Sequence, residues 1–455
     1  MGAQSYCVVG GGISGLAAAY RLRATVGLAA DITVFEPAAR LGGVLRTETV
    51  GGVPMDVGAE AFVARRPEIP ALLSELGLAD RQLTTTGARP LLYSQQRLHP
   101  LPADTLSGIP SSPNCMVGLV DDATLARIAA EPTRPLRWRP GSDPAVAELV
   151  ADRFGEQVVT RSVDPLIGGV YAGSAATIGV RSAVPALAAE LDRGAPNLTA
   201  AVRRALPPST GAPVFGAVAG GYAVLVDALV RRSRPRRVRA AVAGIDRGPN
   251  GWTLRDAAGG YWRADALILA VPAPALARLA TGVAPDTAAA ASRITSASSV
   301  VVALAVPAGT AFPNNSGVLV ASGERLRAKA ITLSTRKWGS WGYAGKVQLL
   351  RLSFGRFGDT VTSRASDDEL LNWAVEDLQT VFGIAIDPVD VRVQRWAAAM
   401  PQYRPGHAEL VAELRGALPP TVAVAGNFLD GIGVPACIAA ANRAAAAVIS
   451  ATAAA

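Results

Sequence analysis

Gly10-Gly11-Gly12-Ile13-Ser14-Gly15 satisfies Gly-x-Gly-x-x-Gly, and each glycine meets a separate need of dinucleotide binding. Gly10 permits a tight turn, Gly12 lets a pyrophosphate approach the backbone, and Gly15 allows a helix to pack closely on a strand. The pyrophosphate then sits on a helix N-terminus, where unpaired N–H groups and the helix dipole favour anions. Glu36 follows about 20 residues further on, the spacing at which a carboxylate accepts the ribose hydroxyls. A carboxylate there, with Arg40 just beyond it, disfavours a 2′-phosphate and hence NADP. FAD and NAD both remain open on the spacing alone.

These residues need a strand–turn–helix–strand frame, and the first residues of the chain provide one. The apolar run at 5–9 ends in Gly10, helical spacing of Ala and Leu follows over 13–23, and a β-branched run covers 32–36. A second glycine turn and helix start at Gly220-Gly221-Tyr222, with strands predicted at 238–245, 251–255 and 266–271. Residues 89–139 are proline-dense and read as loop-rich. Helical patterns occupy 143–204, including 146–154 and 183–191, then strand-like alternation runs over 298–352, and a helix fits 367–382. The chain closes with a strand at 421–425, a glycine-rich turn and an alanine-rich helix. The expected fold is α/β: a Rossmann-like FAD-binding domain, interrupted, with a β-rich substrate domain and a helical insertion. The expected boundaries are 1–88 with 216–275 and 419–455 for the first, 89–105 with 276–418 for the second, and 106–215 for the insertion.

Composition removes several classes. Of 455 residues, 50% are hydrophobic and 18% charged, which excludes disorder as the dominant state. The net charge of +8 is carried by arginine, since only Lys329, Lys337 and Lys346 are lysines. Guanidinium groups suit carboxylate and phosphate partners, although the abundance of Ala, Gly and Pro also fits codon bias. The basic run at 231–237 lacks interleaved aromatics, so nucleic acid is not an expected partner. Cys7, Cys115 and Cys437 are scattered and read as idle thiols in a reducing compartment. No basic segment leads into an apolar core at the start, and the apolar stretches at 267–279 and 437–455 are interrupted by Pro, Arg or Asn. A cytoplasmic protein is expected, with at most peripheral membrane contact.

The continuation past Glu36 separates FAD from NAD. Glu36-Pro-Ala-Ala-Arg40-Leu-Gly42-Gly43-Val44-Leu-Arg46-Thr47 resembles the segment of flavin-containing amine oxidases in which an Arg and a glycine pair lie beside pyrophosphate and flavin. Asp56-Val-Gly58-Ala59-Glu60 looks like that family's next flavin contact. Near the end, Ala425-Gly-Asn427 and Asp430-Gly-Ile432-Gly433-Val434-Pro-Ala-Cys437-Ile precede the last helix, whose N-terminus can face the flavin pyrimidine carbonyl. With Leu166-Ile-Gly168-Gly169-Val170-Tyr171, Arg395-Trp396 and Met400-Pro-Gln-Tyr403, nearly the whole chain resembles the oxygen-dependent porphyrinogen oxidases of haem biosynthesis.

That resemblance implies FAD contacts at Gly10, Gly11, Gly12, Ile13, Ser14, Gly15, Glu36, Arg40, Gly43, Val44, Gly58, Ala59, Glu60 and Ala61. It adds Val242 against the adenine, Trp396 near the flavin, and Asn427, Ile432, Gly433 and Val434 closing the site. Gly169 is implied to approach the substrate through its backbone. Some relatives carry an Arg directly before the strand containing Tyr93; Pro90 stands there in this chain, which leaves Arg89 as the candidate carboxylate anchor. The implied reaction is six-electron oxidation of coproporphyrinogen III, in three flavin turnovers with O2 as acceptor and H2O2 as product; protoporphyrinogen IX is the alternative substrate. Transient contact with a ferrochelatase is a further implication. The flavin carries the chemistry, so no general base is assigned and no metal is expected; His99 and His407 stand far apart without Cys neighbours. A related amine or carotenoid-precursor oxidase, or a non-catalytic escort protein on the same fold, remain the rival readings.

Overall fold

The computed structural model describes residues 4–208, 211–249, 251–339 and 345–454. A five-stranded, all-parallel sheet is assembled from distant parts of the chain in the order Arg236–Val238, Asp31–Phe35, Ser5–Val9, Ala266–Leu269, Val422–Val424. Its central strands are almost fully buried, as parallel strands covered on both faces must be. The helices Ile13–Val26 and Val434–Ala453 pack on each other and on this sheet, and Tyr222–Ser233 lies beside the first of them. The expected strand at 238–245 is instead two: Arg236–Val238 ends the parallel sheet, and Val242–Gly248 begins a separate antiparallel meander with Gly251–Asp256 and Tyr261–Ala264. Continuous β-propensity concealed a change of sheet.

A seven-stranded sheet forms the second layer, ordered Asp390–Pro401, Ser296–Pro307, Val347–Phe354, Ala330–Thr332, Gly317–Val320, Leu91–Ser94, Arg97–Pro100. Helix Asp367–Phe382 covers one face with Leu370, Ala374, Leu378 and Val381. It starts with a capping box in which Ser366 and Glu369 satisfy each other's backbone N–H groups. The two strands from 91 to 100 lie inside the stretch expected to be loop. The strand-like stretch 298–352 also contains a short helix, Ser334–Trp338, and its residues 340–344 lie outside the described residues.

A third, helical core joins residues from Ile109 to Val202. The expected helix at 183–191 is broken into Val180–Ala183 and Pro185–Asp192. Val184 has φ −137°, because the residue before a proline is forced out of the helical region. The expected alanine-rich closing helix is Val434–Ala453, 20 residues long; it is long and apolar enough by composition to cross a membrane, yet half buried within the fold. Pro435 stands in its first turn, where a missing N–H costs nothing.

Candidate active site

The glycine turn after strand Ser5–Val9 is built from contacts that admit no side chain. Gly10 has φ +111°, and a Cβ there would lie 2.3 Å from the Ala270 carbonyl oxygen. A Cβ on Gly15 would lie 1.9 Å from the Gly10 carbonyl oxygen, so the helix sits directly on the strand end. Gly12, by contrast, faces space: the nearest atom to its would-be Cβ is Gly43 Cα at 3.9 Å. Gly42 N–H donates to the Gly11 carbonyl at 2.8 Å, which fastens the second glycine pair beside the first. The opposed Gly12 and Gly43 therefore form a cradle with bare backbone on both sides.

Two helix N-termini open on this region. Helix Ile13–Val26 is preceded by Gly12 and helix Val434–Ala453 by Gly433; neither has a side-chain cap or an acid in its first turn. Their free N–H groups and positive dipole ends are available to a ligand. The two helices pack on each other, with Ser14 near the Cys437 thiol, whose pKa burial pushes up to about 11. Ile13 and Ser14 are buried, Ile432 is half-buried and Val434 is buried. Glu36, just past its strand, accepts from Gly11 N–H and Ala38 N–H at 2.9 Å each. Arg40 donates to the carbonyls of Leu41, Gly43 and Leu45 and so shapes the glycine loop itself. Its guanidinium also lines a cavity of about 350 Å³ with Arg46, Thr47, Asp227 and Arg237. Val242 opens its strand half-buried, four residues beyond Val238, whose carbonyl takes the Glu36 N–H.

The segment from Asp56 to Ala61 runs past this cradle and is pinned from both sides. The Val44 carbonyl accepts from Ala59 N–H at 3.2 Å, and a Cβ on Gly58 would strike that carbonyl oxygen at 1.9 Å. Trp396 donates from Nε1 to the Val57 carbonyl at 2.9 Å, and its ring closes on Gly58. Trp396 keeps its register opposite Ser299, and the irregularity just beyond it sets residues 397–399 of its own strand against Ser298 alone. Asp56 accepts from Thr47 Oγ1 at 2.6 Å and Tyr222 N–H at 3.1 Å; burial raises its pKa to about 7. Ala61 follows, half-buried.

Glu60 faces away from the nucleotide turn: its side chain accepts from Lys337 Nζ and Ser334 Oγ, both at 2.9 Å. Lys337 and Arg351 overcome burial and hold this carboxyl down to about 2. Any ligand contact at Glu60 therefore falls to its backbone.

Asn427 donates to the Ala399 carbonyl at 3.0 Å and accepts at its own carbonyl from Tyr403 Oη. His407 stacks on Tyr403 with centroids 4.1 Å apart and places Nε2 at 3.0 Å from the Phe428 carbonyl. Burial lowers its pKa, and the contacts of its Nε2 with the Phe428 and Leu429 carbonyls make it a prop for the 427–429 turn. Gly169 is exposed on helix Asp164–Tyr171, and Arg89 is exposed, its carbonyl taking the Ser316 N–H.

Sequence reasoning missed three supports: Lys337, Arg351 and the Tyr403–His407 stack. Arg351 donates to the carbonyls of Asp56 and Gly58 at 2.8 and 2.9 Å. Lys337 left a trace as one of three lysines in an arginine-rich chain, and Tyr403 and His407 were noted singly, though not as a stack. Arg351 sits in an ordinary strand pattern and gave none.

The parallel sheet, the glycine cradle and the paired helix N-termini define a dinucleotide-binding oxidoreductase. The model for flavin-containing amine oxidoreductases matches residues 13–449, and the chain belongs to that family. Its cofactor is FAD. The chain is 70% identical over 448 residues to the coproporphyrinogen III oxidase of Mycobacterium tuberculosis, covering 98% of each, and 68% identical to that of Mycobacterium leprae, again covering 98% of each. A crystal structure of a protein from Exiguobacterium sp. 255-15 superposes with a TM-score of 0.87 at 25% identity, covering 98% of this chain and 99% of the other. Putrescine oxidase shares the fold at TM-score 0.73 and 17% identity, with 98% and 99% covered.

The bare cradle fits the FAD pyrophosphate, and it supplies a clean test. Gly12→Val has room in the empty chain but fills the space between Gly12 and Gly43. The variant is expected to fold and to purify without the visible absorbance of bound flavin, while wild-type protein is yellow.

Glu60→Gln tests the buried ion pair. A carboxyl whose folded pKa lies below its ordinary value stabilises fully above that value and loses the contribution as pH falls toward the folded pKa. The substitution leaves Lys337 without its counter-charge and is expected to cost about 3 kcal/mol at pH 7. In urea unfolding, the gap between variant and wild type should narrow between pH 4.5 and about 2.

Proposed function

We propose that the protein oxidises coproporphyrinogen III to coproporphyrin III. The single observation that supports this most is near-end-to-end identity of 70% to coproporphyrinogen III oxidases, with the flavin cradle and both helix N-termini intact. Bound FAD supplies two-electron oxidation, and six electrons must leave the substrate, so three turnovers with O2 yield three H2O2. In this assignment the backbone at Gly10, Gly11, Gly12, Ile13, Ser14 and Gly15 receives the pyrophosphate and Glu36 the ribose. Arg40, Gly43 and Val44 frame the loop, Val242 meets the adenine, and the backbone at Gly58, Ala59, Glu60 and Ala61 lies along the flavin. Trp396, Asn427, Ile432, Gly433 and Val434 close the far end.

The remaining chain does what the cofactor cannot. Gly169 gives the substrate an unobstructed backbone to lie against, and Arg89 is an exposed cation for a propionate. No side chain is assigned as a base; His407 places its Nε2 against the Phe428 and Leu429 carbonyls. The domain boundaries given above, a cytoplasmic location with at most peripheral membrane contact, and transfer of product to a ferrochelatase complete the proposal.

Porphyrin fluorescence developing in air from coproporphyrinogen III and protoporphyrinogen IX, run in parallel on yellow protein, decides the substrate. The expected result is a marked preference for the four-carboxylate substrate. Preference for protoporphyrinogen IX moves the protein to the alternative, and silence with both removes the function.

A further inference from the structure

Buried guanidinium groups are normally matched by a carboxylate or by a full set of acceptors, because an unmatched buried charge is strongly unfavourable. Arg356, half-buried, departs from this at one nitrogen. Its Nη2 donates to the Val320 carbonyl at 3.2 Å, but Nη1 is shielded from solvent and has no hydrogen-bond partner among the described residues. It is directed at helix Asp164–Tyr171, where a Cβ on Gly168 would lie 2.5 Å from Nη1. Gly168 is thus kept bare by the guanidinium behind it, and its neighbour Gly169 presents open backbone to solvent beside Leu319.

A second basic residue lies nearby. Lys329, buried, donates to Ser299 Oγ at 3.0 Å and to the carbonyls of Phe354 and Gly355 at 3.2 and 2.6 Å. Burial first, and then repulsion from Arg356 and Arg351, lowers its pKa to about 7, so its own donors are spent on protein oxygens and it adds no second fixed charge. The acids facing the pair are Asp164 and Asp359, and neither lies within ion-pair distance of Arg356 or Lys329 among the described residues. Asp164 already accepts from Ala175 N–H at 2.6 Å and from Ser322 Oγ. Asp359 accepts from Val361 and Thr362. Arg351 is turned toward the carbonyls of Asp56 and Gly58.

We propose that Arg356 is the substrate-carboxylate anchor, receiving a carboxylate of the tetrapyrrole at the Gly168–Gly169 edge. Arg89, exposed and one residue displaced from the expected position, is then a peripheral contact. The proposal rests on the porphyrinogen function above and assigns the residue that makes the site select for carboxylates.

The test is Arg356→Gln, assayed on both porphyrinogens after wild-type activity is established. Its KM for coproporphyrinogen III should rise about tenfold or more, the loss expected of one charge-assisted hydrogen bond, with kcat and flavin content little changed. The rise should be smaller for the two-carboxylate protoporphyrinogen IX, and binding of coproporphyrin III, followed by tryptophan quenching, should weaken in parallel. Equal changes for both substrates, or none, overturn the assignment and leave Arg356 a structural residue. If the Gln variant does not fold, Arg356→Lys, which keeps the charge, decides: an intermediate KM rise confined to the tetra-acid supports the anchor, and an unchanged KM or an equal shift contradicts it. Wild-type silence with both substrates would instead strike the porphyrinogen function itself.

Discussion

The contact of Gly15 with the Gly10 carbonyl is the constraint from which the rest of the site follows. With 1.9 Å available, no atom beyond hydrogen can stand at residue 15. The first helix is therefore seated on the end of its strand, and its free N–H groups point into the cradle between Gly12 and Gly43. The last helix packs along the first, which brings a second positive dipole end to the same region. Binding here depends on backbone and dipoles fixed in advance by packing, so little has to reorganise when an anionic ligand arrives.

The second layer makes that cradle rigid from a different part of the chain. Arg351 and Trp396 come from the seven-stranded sheet, and both bond to carbonyls of the 56–58 segment. Lys337 arrives on a short helix to neutralise Glu60. On the opposite side Asp56 and Thr47 hold the N-terminus of helix Tyr222–Ser233. The nucleotide layer and the sheet layer are thus joined through one short segment, and the flavin family's contact stretch doubles as the joint between them.

Much of this was legible in the sequence because it depends on local rules. The glycine spacing and the carboxylate just past the second strand are each encoded within a few residues. The helix at 367–382 was read to the residue from its pattern, and the structure adds the Ser366–Glu369 capping box that starts it. Where local pattern failed, a neighbour decided: the run at 238–245 has uniform strand character, yet only tertiary pairing divides it between two sheets. The roles of Lys337, Arg351 and Arg356 were not legible because their partners lie 36 to 295 residues away, which no periodicity records. Glu60 showed the converse, a motif residue whose side chain serves a distant lysine.

The account stands on one claim, that electrons leave a porphyrinogen through a flavin held in this cradle. The direct measurement is anaerobic rapid mixing of the yellow protein with coproporphyrinogen III, following the visible flavin absorbance. The account predicts bleaching on the timescale of turnover and recovery when O2 is admitted, with three bleaching cycles for each porphyrin formed. Porphyrin accumulating while the flavin stays oxidised, or a flavin that never bleaches, would contradict it.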